Sequence, residues 1–326
     1  LEPTITPLAA LIREEIARQG PLPFHRFMQL ALYHPAHGYY RRARDPFGKA
    51  GDFYTAAQLQ PVFGILIAAR VRWLWEQLGR PRDFTVVDLG AGRAEMAEAF
   101  SGWRYVPVDV DRGTLPDGFT GVVFANEFFD ALPVDAAVCR GGAFRRMLVG
   151  WENGRFVWVE DGAVEPEAAG YIQRYLAPRD EGCLVEVNLD ALSWIGRIAR
   201  SLGRGFVLTI DYGYTRRESV RFPQGTLMSY RRHAANEDVL ADPGERDITA
   251  HVCFTALEEY GRSCGLDPLR SETLARMLLD VGESDGFAAA LAAETPAAQT
   301  DRRLQLKTLL FGMGETFRTL LQSKAE

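Results

Sequence analysis

The amino-acid sequence predicts an α/β protein: a doubly wound, Rossmann-like parallel sheet with an N-terminal helical part, an inserted antiparallel meander and a helical C-terminal part. Three observations carry that expectation. Short runs rich in Val and Ile alternate with helix-prone stretches, the pattern of strands buried on both faces. The first of these runs leads into a glycine turn, Gly90-Ala-Gly92. Three further runs are separated by Gly141-Gly142 and Asn153-Gly154, the dipeptides of two-residue hairpin turns.

Taken in order, Thr6 caps a helix that begins at Pro7, carries Leu8, Leu11, Ile12 and Ile16 on one face, and stops at Gly20. A second helix spans Phe24–Tyr33, and a third runs from about Pro61 to Leu78 ahead of Gly79 and Pro81. Between them Gly38 to Thr55 is polar and glycine-rich. The run from Phe84 is a strand that enters the glycine turn and then a helix-prone stretch, Glu95–Phe100. Tyr105–Asp109, Gly121–Asn126 and Phe206–Asp211 are further strands, the last following a helical Ala191–Leu202. Val134–Cys139, Phe144–Gly150 and Arg155–Glu160 form the meander, and the tail from Phe254 is mostly helical with a short strand near Gly265–Leu269. The predicted organisation is a helical lid region over 1–80, a core over 81–133 and 182–215, inserted strands over 134–181, and a helical, substrate-facing region over 216–326.

Composition narrows the function classes. With 326 residues, 47% hydrophobic and 25% charged, the chain is long enough for about two domains and too apolar for general disorder. The formal charge of -6 argues against nucleic-acid binding, which needs a basic face. The excess of 34 Arg over 3 Lys reads as coding bias. Cys139, Cys183, Cys253 and Cys264 are scattered without a C-x-x-C, which fits neither a disulfide framework nor a metal site and suits a reducing compartment. The longest apolar run, Val62–Trp75, is interrupted by Arg70 and Arg72, so no membrane insertion is expected.

In Asp88-Leu-Gly90-Ala-Gly92-Arg-Ala-Glu95, the glycines let a ligand approach bare backbone and meet the positive end of a helix. Glu95 stands where the dinucleotide fingerprint needs its third glycine and would oppose a pyrophosphate, which disfavours a nicotinamide or flavin dehydrogenase. With Asp88 before the turn, the site suits a ligand with an amino group and little negative charge, such as the methionine part of S-adenosylmethionine. The same residues equally describe a tight βα turn with a capping Asp. Asp109 tips the balance: a carboxylate ending the next strand accepts hydrogen bonds from both ribose hydroxyls of a nucleoside. Asn126-Glu127-Phe-Phe-Asp130-Ala-Leu-Pro follows another strand, so Asn126, Glu127 and Asp130 border the crevice where an acceptor would lie, unless the two acids merely cap a helix.

Several motifs then occur in order: Gly51-Asp52-Phe53 with Thr55, the Asp-Leu-Gly-Ala-Gly turn, Asn-Glu-Phe-Phe-Asp-Ala-Leu-Pro, Asp211-Tyr-Gly213, Gly225-Thr-Leu, Tyr230, His233, and Asp247-Ile-Thr-Ala-His251-Val-Cys253-Phe254. Together they resemble the MidA-like methyltransferases, a family that includes the mitochondrial complex I assembly-factor arginine methyltransferase. The resemblance runs from about Leu22 to Met313-Gly-Glu-Thr-Phe317. It implies a class I methyltransferase fold, S-adenosylmethionine as cofactor and a protein substrate, with transfer to an arginine of a complex I subunit during assembly. By the same resemblance Asp88, Gly90 and Gly92 hold the methionine end, Asp109 the ribose, and Gly51, Asp52, Phe53 and Thr55 part of a lid. Glu127, Asp130 and Asn126 border the acceptor, and His251 or His233 accepts a proton late, although a structural histidine is the commoner reading of each. A bacterial member is expected in the cytoplasm and a eukaryotic one in the mitochondrion.

The chain departs from the pattern at Ala91, where relatives often carry Pro, at Ala94, where they carry Gly, and at Cys253, where they carry Asp. Only 16 residues separate Asp109 from Asn126, too few for the usual helix, third strand and second helix. Either Asp111–Gly118 replaces the adenine wall that strand supplies, or cofactor affinity is reduced. Two further readings stay open: a non-catalytic assembly factor on the same fold, and a small-molecule methyltransferase.

Overall fold

The computed structural model describes residues 6–42, 56, 59–231 and 234–325. They form two compact units, one of Leu1–Tyr54, Asp130–Ala191 and Tyr214–Thr255, the other of Thr55–Phe129, Leu192–Gly213 and Ala256–Glu326.

The second unit contains the doubly wound sheet. Thr85–Leu89 lies parallel between Arg104–Val108 and Phe119–Asn126, and Leu202–Tyr214 continues parallel beyond Phe119–Asn126. Every residue of Thr85–Leu89 is buried, which is why its sequence lacks polar alternation. Helix Val62–Gln77 covers the sheet: Phe63, Leu66, Ile67, Val71 and Leu74 share a core with Val86, Val122, Phe124, Leu208 and Ile210. The sheet ends at Arg104–Val108, so the missing third strand inferred from the short 110–125 segment is missing here too.

The other edge corrects the expected helical C-terminus. Phe317–Lys324 pairs antiparallel with Leu202–Tyr214, and Asp267–Thr273 pairs antiparallel with Phe317–Lys324. Phe-Arg-Thr-Leu-Leu-Gln-Ser-Lys has little β-branched content, and burial between two neighbours overrides that weak local preference. Residues 228–249 are not helical either. Met228–Arg231 pairs antiparallel with Ala234–Asn236 and with Asp247–Thr249.

The first unit holds the meander. Asp135–Arg140, Ala143–Glu152 and Arg155–Ala163 pair antiparallel in sequence, with Leu184–Val187 on the outer side of Asp135–Arg140. Positive φ at Gly141, Gly142, Asn153 and Gly154 makes both connections turns whose twist suits hairpin strands. Helices Pro7–Gln19 and Phe24–Tyr33 bury Leu8, Ile12, Phe24, Phe27 and Met28 in one core with Val134, Ala136 and Val149. Thr6 Oγ1 accepts from Ala9 N, and Gly20 ends the first helix at φ 84°.

The units therefore cut the chain differently from the expected organisation. The helices of 1–80 divide between them, because Pro7–Gln19 and Phe24–Tyr33 are apolar on the face that meets the meander, whereas Val62–Gln77 is apolar enough all round to sit in the sheet's core. Residues 216–326 divide at Thr255.

Candidate functional site

Register builds the site. Leu89 pairs with Val108 on one side and Ala125 on the other, so three parallel strands end side by side, and Asp88, Asp109, Asn126 and Glu127 gather at that edge. Ligands of open α/β sheets bind at this end of the strands.

The bend itself is closed by its neighbours. Gly90 N and Ala91 N both donate to Val108 O, at 2.9 and 3.3 Å. Gly90 and Gly92 have φ of 70° and 50°, and a Cβ on Gly90 would stand 3.0 Å from the Phe128 ring. Asp109 accepts from Gly92 N through Oδ2 and from Val110 N through Oδ1, each at 2.6 Å. Arg112 donates to Gly92 O at 2.6 Å, and the Asp109 and Arg112 backbones bond to each other at 2.7 and 3.2 Å. The Gly92 peptide is thus held from both sides by the segment that stands in for a third strand.

The helix expected after the bend is not formed. Residues 92–102 are a succession of turns, and Ala94 has φ 61°, a left-handed conformation that interrupts helical geometry and that glycine adopts more readily. The positive end of a helix therefore contributes nothing here. The donors are single backbone N–H groups.

Asp88 is 4% exposed. Burial pushes its carboxyl up to about 7, opposed by a 2.7 Å hydrogen bond from Tyr105 Oη. Glu95 and Asp109 push the same way as burial, and Arg112 opposes them. Burial and Asp88 together raise the Tyr105 phenol. Tyr105 escaped the sequence reading, although the parallel register supplies the signal. It pairs with Val86, two residues before Asp88, and alternation puts Val86, Asp88 and Tyr105 on one face.

Glu127 adopts φ 50°, a conformation uncommon outside glycine and enriched at functional sites. Its Oε1 accepts from Ala56 N at 2.9 Å and from Asn126 Nδ2 at 3.1 Å. Asn126 Oδ1 is buried and has no hydrogen-bond partner among the described residues. Asp211, fully buried, fixes the following segment by accepting from Phe129 N at 3.0 Å. The Phe128 ring lies edge-on to Phe129 and Trp194, and Arg197 stacks on Trp194 at 3.7 Å.

Asp130 and His251 belong to the other unit. Asp130 is buried, and its carbonyl accepts from Ala250 N at 3.0 Å. His251 N donates to Thr226 Oγ1 at 3.0 Å, its ring lies edge-on to Phe222, and burial lowers its pKa. The structure therefore unites Asp88, Gly90, Gly92, Asp109, Asn126 and Glu127 within one unit and places Asp130 and His251 in another. Gly51, Asp52, Phe53, Thr55 and His233 lie outside the described residues. Among the described residues no group of three or more His, Cys, Asp or Glu is placed to hold a metal ion, and no helix is long and apolar enough to cross a membrane.

Known proteins match this chain along most of its length. Residues 103–271 match the family of S-adenosyl-L-methionine-dependent methyltransferases. A Drosophila melanogaster relative, protein arginine methyltransferase NDUFAF7 homolog, mitochondrial, is 27% identical over 79% of this chain and 70% of its own. The Mus musculus protein arginine methyltransferase NDUFAF7, mitochondrial, is 27% identical over 85% and 75%. A COG1565 superfamily member from Burkholderia thailandensis, crystallised with S-adenosyl-homocysteine, superimposes with a TM-score of 0.87 at 29% identity, covering 99% of this chain and 95% of that one.

Proposed function

We propose, from the premise that this chain belongs to the family of S-adenosyl-L-methionine-dependent methyltransferases, that it transfers methyl to an arginine side chain of a protein. The fold is that of class I methyltransferases and the cofactor is S-adenosylmethionine. Our reading of the acceptor is a subunit of respiratory complex I, as the likeness to the MidA-like family implies. The relatives' names support an arginine acceptor.

The residues at the strand ends fit the cofactor. Gly90 and Gly92 offer backbone without side chains, and Asp88 is a carboxylate with one printed side-chain donor, suited to an ammonium group. Each Asp109 oxygen accepts one backbone N–H, which leaves lone pairs for two ribose hydroxyls. In this assignment Asp88, Gly90 and Gly92 hold the methionine end and Asp109 the sugar. Gly51, Asp52, Phe53 and Thr55 are retained in the proposal as lid residues. When bound, S-adenosylmethionine supplies a methyl on sulfonium, open to in-line displacement.

The observation that carries the arginine reading is Asn126 Oδ1, a buried acceptor without a partner beside the Glu127 carboxylate. Leaving such an oxygen unpaired costs about 1–3 kcal/mol. A guanidinium has five donors and no acceptor, so it satisfies the pair without leaving a lone pair of its own unmet. Glu127 orients it and concentrates its charge through charge-assisted hydrogen bonds, and catalysis is mainly positioning and exclusion of water. Asp130 is assigned to the acceptor side, and His251, kept neutral by burial, to accepting a late proton.

The test is incubation with S-adenosylmethionine and a protein extract from a strain lacking this gene, read by mass spectrometry for methylarginine. Glu127→Gln should lower transfer by at least about 100-fold while S-adenosylhomocysteine binding stays within about twofold. Undiminished transfer in Glu127→Gln, or turnover on small amines without a protein acceptor, contradicts the reading.

A further inference from the structure

We propose that Tyr105 is the positioning residue of the cofactor site, its hydroxyl holding the Asp88 carboxyl in the ionised, oriented form that receives the cofactor's ammonium group. The inference rests on the assignment of Asp88 to the methionine end. Its geometric basis is separate. Tyr105 Oη donates to Asp88 Oδ2 at 2.7 Å, and no other side chain donates a hydrogen bond to that carboxyl among the described residues.

The arrangement follows from the truncated sheet. Arg104–Val108 is the edge strand, and Tyr105 remains half-buried, its ring 6.0 Å from that of Phe100. The ring packs against the apolar core while its hydroxyl reaches the strand end. The groups acting on Asp88 make this bond decisive. Glu95 and Asp109 disfavour its charged form, as burial does, and Arg112 alone among the facing charges favours it. Arg112, however, is exposed and already donates to Gly92 O. Removing the phenolic donor leaves a buried carboxyl facing two acids and one solvent-screened cation, and proton uptake follows at a higher pH.

Tyr105→Phe separates this role from packing, since the ring stays and only the hydroxyl is lost. Binding of S-adenosylhomocysteine is measured by calorimetry from pH 5.5 to 9 on wild type, Tyr105→Phe and Asp88→Asn, together with the apo Asp88 titration by carboxyl NMR. Wild-type affinity should fall as pH drops through about 7. In Tyr105→Phe both that midpoint and the apo titration should move up by about one pH unit, with about five- to tenfold weaker binding at pH 7 and near-wild-type binding at pH 9. A uniform loss at every pH, or profiles that coincide with wild type, overturns the inference while leaving Asp88 in place. If Asp88→Asn binds at pH 8 as tightly as wild type, the assignment of Asp88 falls, and this inference with it.

Discussion

Two carboxylates are buried to similar depth, one in each compact unit, and they differ in how they are satisfied. Glu186, on Leu184–Val187, accepts from Thr226 N at 2.6 Å and Thr226 Oγ1 at 3.1 Å. Thr226 Oγ1 in turn accepts from His251 N. A Cβ on Gly225, whose φ is 75°, would lie 2.3 Å from Glu186 Oε1, so the Gly225-Thr226 pair is shaped around that carboxyl. Asp88 has Tyr105 and a bare-backbone bend. Burial raises both carboxyls. A buried acid enclosed by its own chain's donors serves the fold, whereas one left short of donors at the open ends of parallel strands is prepared for a cation from outside.

The largest effect expected from this contrast is at Glu186. Glu186→Ala strands the Thr226 donors in the interior and should destabilise by about 3 kcal/mol in denaturant unfolding, with S-adenosylhomocysteine affinity within about twofold of wild type. Loss of affinity with stability intact would break the comparison.

A smaller, pH-dependent effect of opposite sign belongs to Asp88. Its folded pKa, about 7, lies above the unfolded value of 3.8. The folded state therefore holds a proton that the unfolded chain releases, and stability is lost as pH rises from about 4 through 7. Asp88→Asn should remove that slope and make the cofactor-free protein more stable at pH 8 by about 1–3 kcal/mol, with little difference at pH 4. Equal pH dependence in both proteins would show that Asp88 is solvated like a surface acid.

The smallest concerns the bend. Ala94→Gly relieves a left-handed alanine and should stabilise by about 0.5–1 kcal/mol, measured as a shift in the unfolding midpoint. A destabilised variant would show that Ala94 packing outweighs its backbone strain.

Local chemistry made much of this legible in the sequence. Thr6-Pro7 and Gly20 bound the first helix because a hydroxyl cap, a fixed φ and a left-handed stop act within a few residues. Asp88, Asp109, Asn126 and Glu127 could be gathered because strands that alternate with crossovers end on one side. Where tertiary partners decide, the reading failed. Phe317–Lys324 is a strand because Leu202–Tyr214 and Asp267–Thr273 flank it. Glu95–Phe100 is not a helix because Ala94 turns left-handed beneath the Asp109–Arg112 closure. Tyr105 became visible only with the strand register, and the enclosure of Glu186 only with Thr226 brought across forty residues of chain.

The most direct measurement is the Asp88 carboxyl titration by NMR with and without saturating S-adenosylhomocysteine. An ammonium delivered to that carboxyl should lower its midpoint from near 7 by at least about one pH unit. A midpoint that stays put or rises in the saturated protein would contradict the account, because the cofactor's charge would then be held elsewhere.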